Sequence, residues 1–431
     1  MSEEITLSRL PNGIRVLTER MPAVRTAAMG IWVQVGSRYE PVALHGVSHF
    51  MEHLFFKGTH RRSALEIAQA VDDIGGQMNA FTDREHTVFY VKVLAKHLPE
   101  AVEIYADMLL NSALAPESID RERQVINEEI KMYEDSPDEL VQDLFAQTIW
   151  NGHPLGRPVI GTVATVNHLR REDFLQYIAH RYRPDNVVIA IAGDVEHEYV
   201  LRLIADRFGG WNGQATSVPT APPTFQAGVS TRFKETEQVH LCIGTRGLPQ
   251  ADESRYVLSV LDHILGGGMS SRLFQEIRER RGLVYTITSY AAAYHDSGLF
   301  VVYAGMSPDV GPEVITLTLA ELEKIKSTRV EAVELQRAKE SIKGSLMLSL
   351  ESTDSRMFKL GRSELYHGRQ ITLDELIARI DAVAAADVQA MANALFEPRQ
   401  LTLAGIGPFR SDGVLAASMR TAFDQSTGTR A

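Results

Sequence analysis

Ser48-His49-Phe50-Met51-Glu52-His53-Leu54-Phe55-Phe56-Lys57-Gly58 sets three ionisable side chains, His49, Glu52 and His53, within an otherwise apolar run from His49 to Phe56. On a helix, positions i, i+3 and i+4 share a face, so the three point together. Phe50, Met51, Leu54, Phe55 and Phe56 fill the rest of the run, and a helix apolar nearly all round is a buried one. Isolated buried ionisable groups are costly, so this face needs a partner. A divalent cation supplies one. Two imidazoles a turn apart suit zinc, and the glutamate between them is placed to act as a base. The stretch therefore predicts a zinc hydrolase, and the rest of the chain has to be consistent with that.

At 431 residues the chain exceeds one hydrophobic core and suits two or more domains. Hydrophobic residues at 44% and charged ones at 23% are ordinary for a globular protein. The net charge of −11 argues against general nucleic-acid binding, which needs basic surface. Met-Ser-Glu-Glu-Ile-Thr-Leu at the start has neither an apolar signal core nor the Arg-rich character of a transit peptide. No apolar run is long enough to span a bilayer, so membrane insertion is not expected. The single cysteine, Cys242, can form no intramolecular disulfide and no thiolate cluster. A cytoplasmic location is the expectation.

Outward from the motif, Ile5 to Arg20 predicts a hairpin turning at Pro11-Asn12-Gly13, and Ala27 to Gly36 a further strand. Ser63 to Ile74 carries helical spacing and stops at Gly75-Gly76. Gln77–Thr82 and Thr87–Val93 are strand-like, Pro99–Leu110 and Pro116–Tyr133 helical, and Asn186–Ile191 a buried strand. Between 209 and 228, Gly209, Gly210, Gly213, Pro219, Pro222, Pro223 and Gly228 punctuate a stretch without periodicity, which is linker composition. The second half then repeats the first. Thr87-Val-Phe89-Tyr-Val resembles Gly298-Leu-Phe300-Val-Val, an offset of 211 that maps Ser48–Gly58 onto Ser259–Met269. A duplicated module is the simplest explanation.

The expected organisation is an N-terminal catalytic module at 1–208, a linker at 209–228 and a homologous module without the metal motif at 229–431. The fold class is α+β. It consists of two homologous modules, each a largely antiparallel or mixed sheet packed with helices. Under the offset, His49, Glu52 and His53 become Val260, His263 and Ile264. The bland explanation, three hydrogen-bonded core polar residues, leaves that asymmetry unexplained. One working site on a duplicated scaffold explains it.

A catalytic zinc takes three protein ligands and a water, so a third ligand is needed. Along Ser118–Asp135, Ile119, Glu122, Ile126, Glu129 and Tyr133 form one stripe, with both carboxylates inside an apolar face. We take Glu129 as the ligand and Glu122 as a carboxylate orienting a ligand or water. Spacing alone does not separate the two. His45, His60, His86, His97 and His153 share no such spacing and are expected on the surface or in loops. Gly266-Gly267-Gly268 lacks the Lys-Ser/Thr and the preceding strand of a phosphate loop.

His49-Phe-Met-Glu52-His53-Leu-Phe-Phe-Lys-Gly-Thr59 is similar to the inverted zinc motif of the inverzincins. With Arg121-Glu122-Arg-Gln-Val-Ile-Asn-Glu-Glu129-Ile, 80 residues beyond His49, it resembles the pitrilysin/insulinase metallopeptidases. Within them it looks most like the mitochondrial processing peptidase β-subunit and its bacterial homologues. Gly75-Gly-Gln-Met-Asn79-Ala-Phe-Thr82, His153-Pro-Leu-Gly156, Tyr182-Arg-Pro-Asp-Asn186, Leu265–Leu273 and Arg278-Glu-Arg-Arg-Gly282-Leu-Val-Tyr285 match as well, so the likeness covers nearly the whole chain.

The resemblance implies one zinc per chain on His49, His53 and Glu129, with Glu52 as general base in peptide hydrolysis. It implies that Asn79, Ala80, Phe81 and Thr82 lie along a peptide bound by β-augmentation, and that Arg278 and Tyr285 enter the site from the second module. It implies a chamber that admits unfolded peptides, and pairing into a homodimer or a heterodimer with a homologous subunit. Two rival expectations stand beside it. A non-catalytic assembly subunit of the same fold is opposed by the intact motif. An S-ribosylhomocysteine lyase, which has a similar motif, is opposed by the chain's length and by the position of Cys242.

Overall fold

The computed structural model describes residues 4–216, 220–409 and 414–428. Residues 217–219 of the expected linker, 1–3 of the first module, and 410–413 and 429–431 of the second lie outside the described residues. In chain order the first half runs β1 (Glu4–Arg9), β2 (Arg15–Arg20), β3 (Thr26–Val33), α1 (Val47–Phe55), α2 (Ala64–Asp73), β4 (Gln77–Thr82), β5 (Thr87–Leu94) and α3 (Leu98–Asn111). It continues with α4 (Pro116–Glu134), α5 (Pro137–Ile149), α6 (Val163–His168), α7 (Arg171–Arg181), β6 (Val187–Gly193) and α8 (His197–Phe208). The second half runs β7 (Val229–Phe233), β8 (Val239–Arg246), α9 (Arg255–Leu265), β9 (Val284–Ala293), β10 (Gly298–Met306), α10 (Gly311–Ser327) and α11 (Ala332–Ser349). It closes with α12 (Thr353–His367), α13 (Leu373–Ala382), α14 (Ala385–Leu395), β11 (Thr402–Gly407) and α15 (Val414–Thr427).

Local rules account for several of the boundaries. The β1–β2 hairpin turns at Gly13, whose φ of 104° only glycine adopts readily. A capping box at Ser63, with Glu66 three residues on, starts α2. Gly75, at φ 60°, ends it.

The strands form two sheets, in the orders β1-β2-β6-β3-β5-β4 and β7-β11-β8-β10-β9. Each has one parallel pair, β2 with β6 and β7 with β11, and is otherwise antiparallel. Aligned from their parallel pairs, the two orders coincide strand for strand, with β1 the extra strand of the first. The duplication predicted from the 211-residue offset is present as a repeated mixed sheet.

The described residues divide into two compact units that are not contiguous in sequence. The first holds residues up to Lys131, Pro158–Thr220 and Met347–Thr372; the second holds Met132–Arg157, Ala221–Leu346 and Leu373 onward. The modules expected at 1–208 and 229–431 follow the chain, whereas packing assigns α5 to the second unit and α12 to the first.

The physical reason is two-sided burial. In the first unit Ala27, Met29, Ile31, Val187, Ile189 and Ile191 face α1, α3, α7 and α8. Their alternates Ala28, Trp32, Val188, Ala190 and Ala192 face Met357 and Leu360 of α12. All seven residues of β6 are buried, which is why its sequence runs apolar without alternation. Each of those two α12 side chains contributes about 1.5–3 kcal/mol by leaving water. Ion pairs Lys92–Asp354 (2.8 Å), Arg15–Glu364 (3.2 Å) and Arg356–Glu19 fix the helix in register. In the second unit Leu140, Val141, Phe145 and Ile149 of α5 cover Cys242, Leu299, Val301, Ala404 and Ile406 in the same way. No helix among the described residues is long and apolar enough to cross a membrane.

Candidate metal centre

Helix α1 is held on three sides. Phe50, Met51, Leu54 and Phe55 are buried in the core of the first unit. Its N-terminus is capped from outside by the buried carboxylate of Glu40, which accepts from the Gly46 and Ser48 amides at 2.7 Å each. Ser48 Oγ and Tyr177 Oη meet at 2.8 Å, tying α1 to α7. The remaining face carries His49, Glu52 and His53, each partly buried.

Helix α4 completes the group. Glu129 Oε1 stands 3.7 Å from His49 Nε2, and Glu129 Oε2 stands 3.6 Å from His53 Nε2. One donor atom from each of the three lies within 4.8 Å of the other two; among the described residues no other group of His, Cys or carboxylate side chains is so placed. Donors about 2.0–2.1 Å from a tetrahedral zinc stand about 3.3 Å from one another. The two separations from Glu129 are too long for hydrogen bonds and close to that spacing. Glu129 Oε2 is buried and has no hydrogen-bond partner. A carboxylate with one oxygen toward each imidazole and hydrogen-bonded to neither fits a shared cation.

The protonation states suit the same role. Burial, reinforced by the neighbouring His53, pushes His49 down to about 3, so its ring is neutral at neutral pH. Glu122, 4% exposed, accepts from His53 Nδ1 at 3.3 Å and from Lys57 Nζ at 2.9 Å. A carboxylate only accepts, so this hydrogen bond needs a proton on His53 Nδ1, and it turns Nε2 toward Glu129. Sequence spacing left Glu122 and Glu129 interchangeable. The packed helix separates them, with Glu122 at His53 Nδ1 and Glu129 beside both Nε2 atoms. Burial raises the Glu129 carboxyl, an effect His53 partly offsets.

Glu52 stands apart from this trio. Its carboxylate accepts from Thr82 Oγ1 at 2.6 Å, on strand β4. Burial raises the Glu52 carboxyl and the Thr82 hydroxyl opposes the rise. The sequence marks Thr82 only as part of a peptide-binding strand, because no periodicity links it to Glu52, 30 positions away. Among the described residues β4 is an edge strand, paired with β5 alone, so Asn79, Ala80, Phe81 and Thr82 lie beside an open backbone edge. Phe81 also packs edge-on to Trp32 at 6.3 Å.

Arg278 and Tyr285 belong to the second unit. Arg278 stacks over Phe274 at 4.6 Å within a π-helical turn, and Tyr285 on β9 is 78% exposed. In the same unit Val260 and Ile264, at two of the three metal-motif positions, are buried core residues of α9. The Gly266–Gly268 run follows the C-terminus of α9, where the amides of Gly266 and Gly267 bond Asp262 O, so it forms no anion-binding helix start. Of the histidines expected at the surface or in loops, His45 and His86 lie in loops but are buried. His45 Nε2 bonds Pro158 O at 2.7 Å, and His86 packs edge-on to Trp32 and Tyr366. Lack of mutual spacing excludes a shared ligand role but does not report burial, which tertiary packing decides.

Comparison with known proteins agrees with this architecture. Residues 15–163 match the insulinase family (peptidase family M16), and residues 168–342 match the peptidase M16 inactive domain. The chain is 42% identical over 385 residues to the uncharacterized zinc protease YmxG of Bacillus subtilis, covering 89% of this chain and 94% of that one. Its fold resembles the crystal structure of a protease from Helicobacter pylori (TM-score 0.89, 23% identity, 94% and 100% of the two chains). It also resembles a chain of complex III2 from Candida albicans (TM-score 0.82, 20% identity, 97% and 99%). With its duplicated mixed sheets, its inverted motif on α1 and relatives at this identity over nearly their full length, the chain belongs to the insulinase family of zinc metallopeptidases, peptidase family M16.

Proposed function

We propose that this chain is a zinc-dependent endopeptidase that hydrolyses unfolded peptides, including presequence-like segments, with one zinc per chain held by His49, His53 and Glu129. The clustering of those three side chains, one donor atom of each within 4.8 Å of the other two, carries the proposal. Bound there, zinc supplies Lewis acidity toward a water and a peptide carbonyl. Glu52 takes the proton of the attacking water and returns it to the leaving amine. Its carboxyl is raised by burial, which brings it nearer the operating pH of a base, and Thr82 holds its orientation. Glu122 fixes the His53 ring. Asn79, Ala80, Phe81 and Thr82 take the substrate as an added strand; the open edge of β4 supports this. The net charge of −11 favours cationic peptides. Arg278 and Tyr285 are proposed as further catalytic residues, and a homodimer or a pair with a homologous subunit as the assembly, both from the family resemblance.

The test is Glu52→Gln in the full chain. Zinc content should stay near one per chain while cleavage of a quenched, unstructured peptide is lost. Undiminished turnover by that variant would contradict the assignment of the base.

A further inference from the structure

Glu122 divides its carboxylate between two partners, His53 Nδ1 at 3.3 Å and Lys57 Nζ at 2.9 Å. Lys57 lies just beyond the C-terminus of α1, four residues after His53, on the turn that Gly58 makes at φ 114°. Its side chain is 35% exposed and that of Glu122 only 5%, so an ammonium at the rim reaches in to a buried acceptor. The terminal torsion of a glutamate is broad and held by no steep intrinsic well. With one oxygen clamped by Lys57, the other is left directed at the imidazole.

We infer that Lys57 is a positioning residue for the metal centre, acting through Glu122 to hold the His53 ring with Nε2 toward Glu129. This rests on the zinc reading of the site, and it adds a residue that no ligand spacing identifies. Among the described residues no hydrogen bond or ion pair joins the Lys57 side chain to the three ligands; its effect runs through one carboxylate. A role confined to stabilising the end of α1 would be the alternative, since a cation near a helix C-terminus is favourable by itself.

The experiment is zinc affinity by competition with a chromophoric chelator on the purified full chain, with thermal melts in excess chelator run in parallel. Removing an outer partner of a ligating histidine typically weakens metal binding by about 10–100-fold. Lys57→Met should weaken zinc by about tenfold, Glu122→Gln by a similar factor, and the double variant by no more than the larger single. Lys57→Arg should restore affinity to within about twofold of wild type, because the cation at Glu122 is retained. The visible spectrum of the cobalt-substituted protein should change in Lys57→Met and revert in Lys57→Arg. Lys57→Gln serves as a second variant should Lys57→Met not fold.

Wild-type affinity in a folded Lys57→Met or Lys57→Gln protein, with only its melting temperature lowered, would overturn the inference. So would full additivity with Glu122→Gln. Failure of the wild-type chain to bind zinc at all would instead overturn the functional reading beneath it.

Discussion

Replacing Thr82 by Val removes the hydroxyl that donates to Glu52 Oε2 at 2.6 Å and keeps the shape of the side chain. A hydrogen bond to a charged group contributes about 1.5–3 kcal/mol. The lower end applies, because the bond is only partly buried. A loss of about 1.4 kcal/mol is tenfold in rate. The direction follows from what sets the Glu52 carboxyl. Burial raises it and the Thr82 hydroxyl pulls it back, so the variant lets it rise further. A base works deprotonated, so the acid limb of kcat/KM should move to higher pH. The loss should reach about tenfold on that limb and shrink above it. The assay is kcat/KM for a quenched unfolded peptide across the acid limb and plateau, at constant ionic strength, with zinc content measured alongside. Thr82→Ser should restore the wild-type profile. An acid limb superimposable on the wild type would refute the coupling between strand β4 and the base.

Two further outcomes follow from burial and packing. In excess chelator, Glu52→Gln should melt about 2 °C above wild type at neutral pH. The folded-state carboxyl is raised, so its contribution to stability is full below the ordinary carboxylate range and is lost as pH rises through the raised value. The advantage of Gln should therefore vanish toward pH 4, and differential scanning calorimetry at both pH values checks the sign. Gly361→Ala should destabilise by about 1–3 kcal/mol in denaturant titrations despite the better helix propensity of alanine. A Cβ on Gly361 would collide with Trp32 Nε1, and Trp32 is buried against Phe81, His86 and Phe358.

Much of the fold is legible because its signals are local. The Asn12-Gly13 turn, the continuous apolar run of β6 and the repeat of the β5 pattern in β10 each carry their reading within about ten residues. The assignment of α5 and α12 to opposite units is not, since an amphipathic helix states that it covers a sheet but not which one. The same limit divides the site. His49, Glu52 and His53 are legible as one helix turn, and the stripe on α4 narrows the third ligand to Glu122 or Glu129. What separates those two is the rotation of α4 against α1, a tertiary fact. Thr82, Lys57 and Glu40 act across 30, 65 and 6 to 8 positions with no periodic signature, so only the packed chain places them against Glu52, Glu122 and the start of α1.

Zinc titration into chelator-stripped wild type and Glu129→Gln, followed by isothermal calorimetry, addresses the metal assignment most directly. Wild type should take up one equivalent. Glu129→Gln should bind at least roughly a hundredfold more weakly while keeping its fold, as expected when a neutral amide replaces a ligating carboxylate. Equal affinity in the two proteins, or no uptake by wild type, would contradict a zinc centre built from His49, His53 and Glu129.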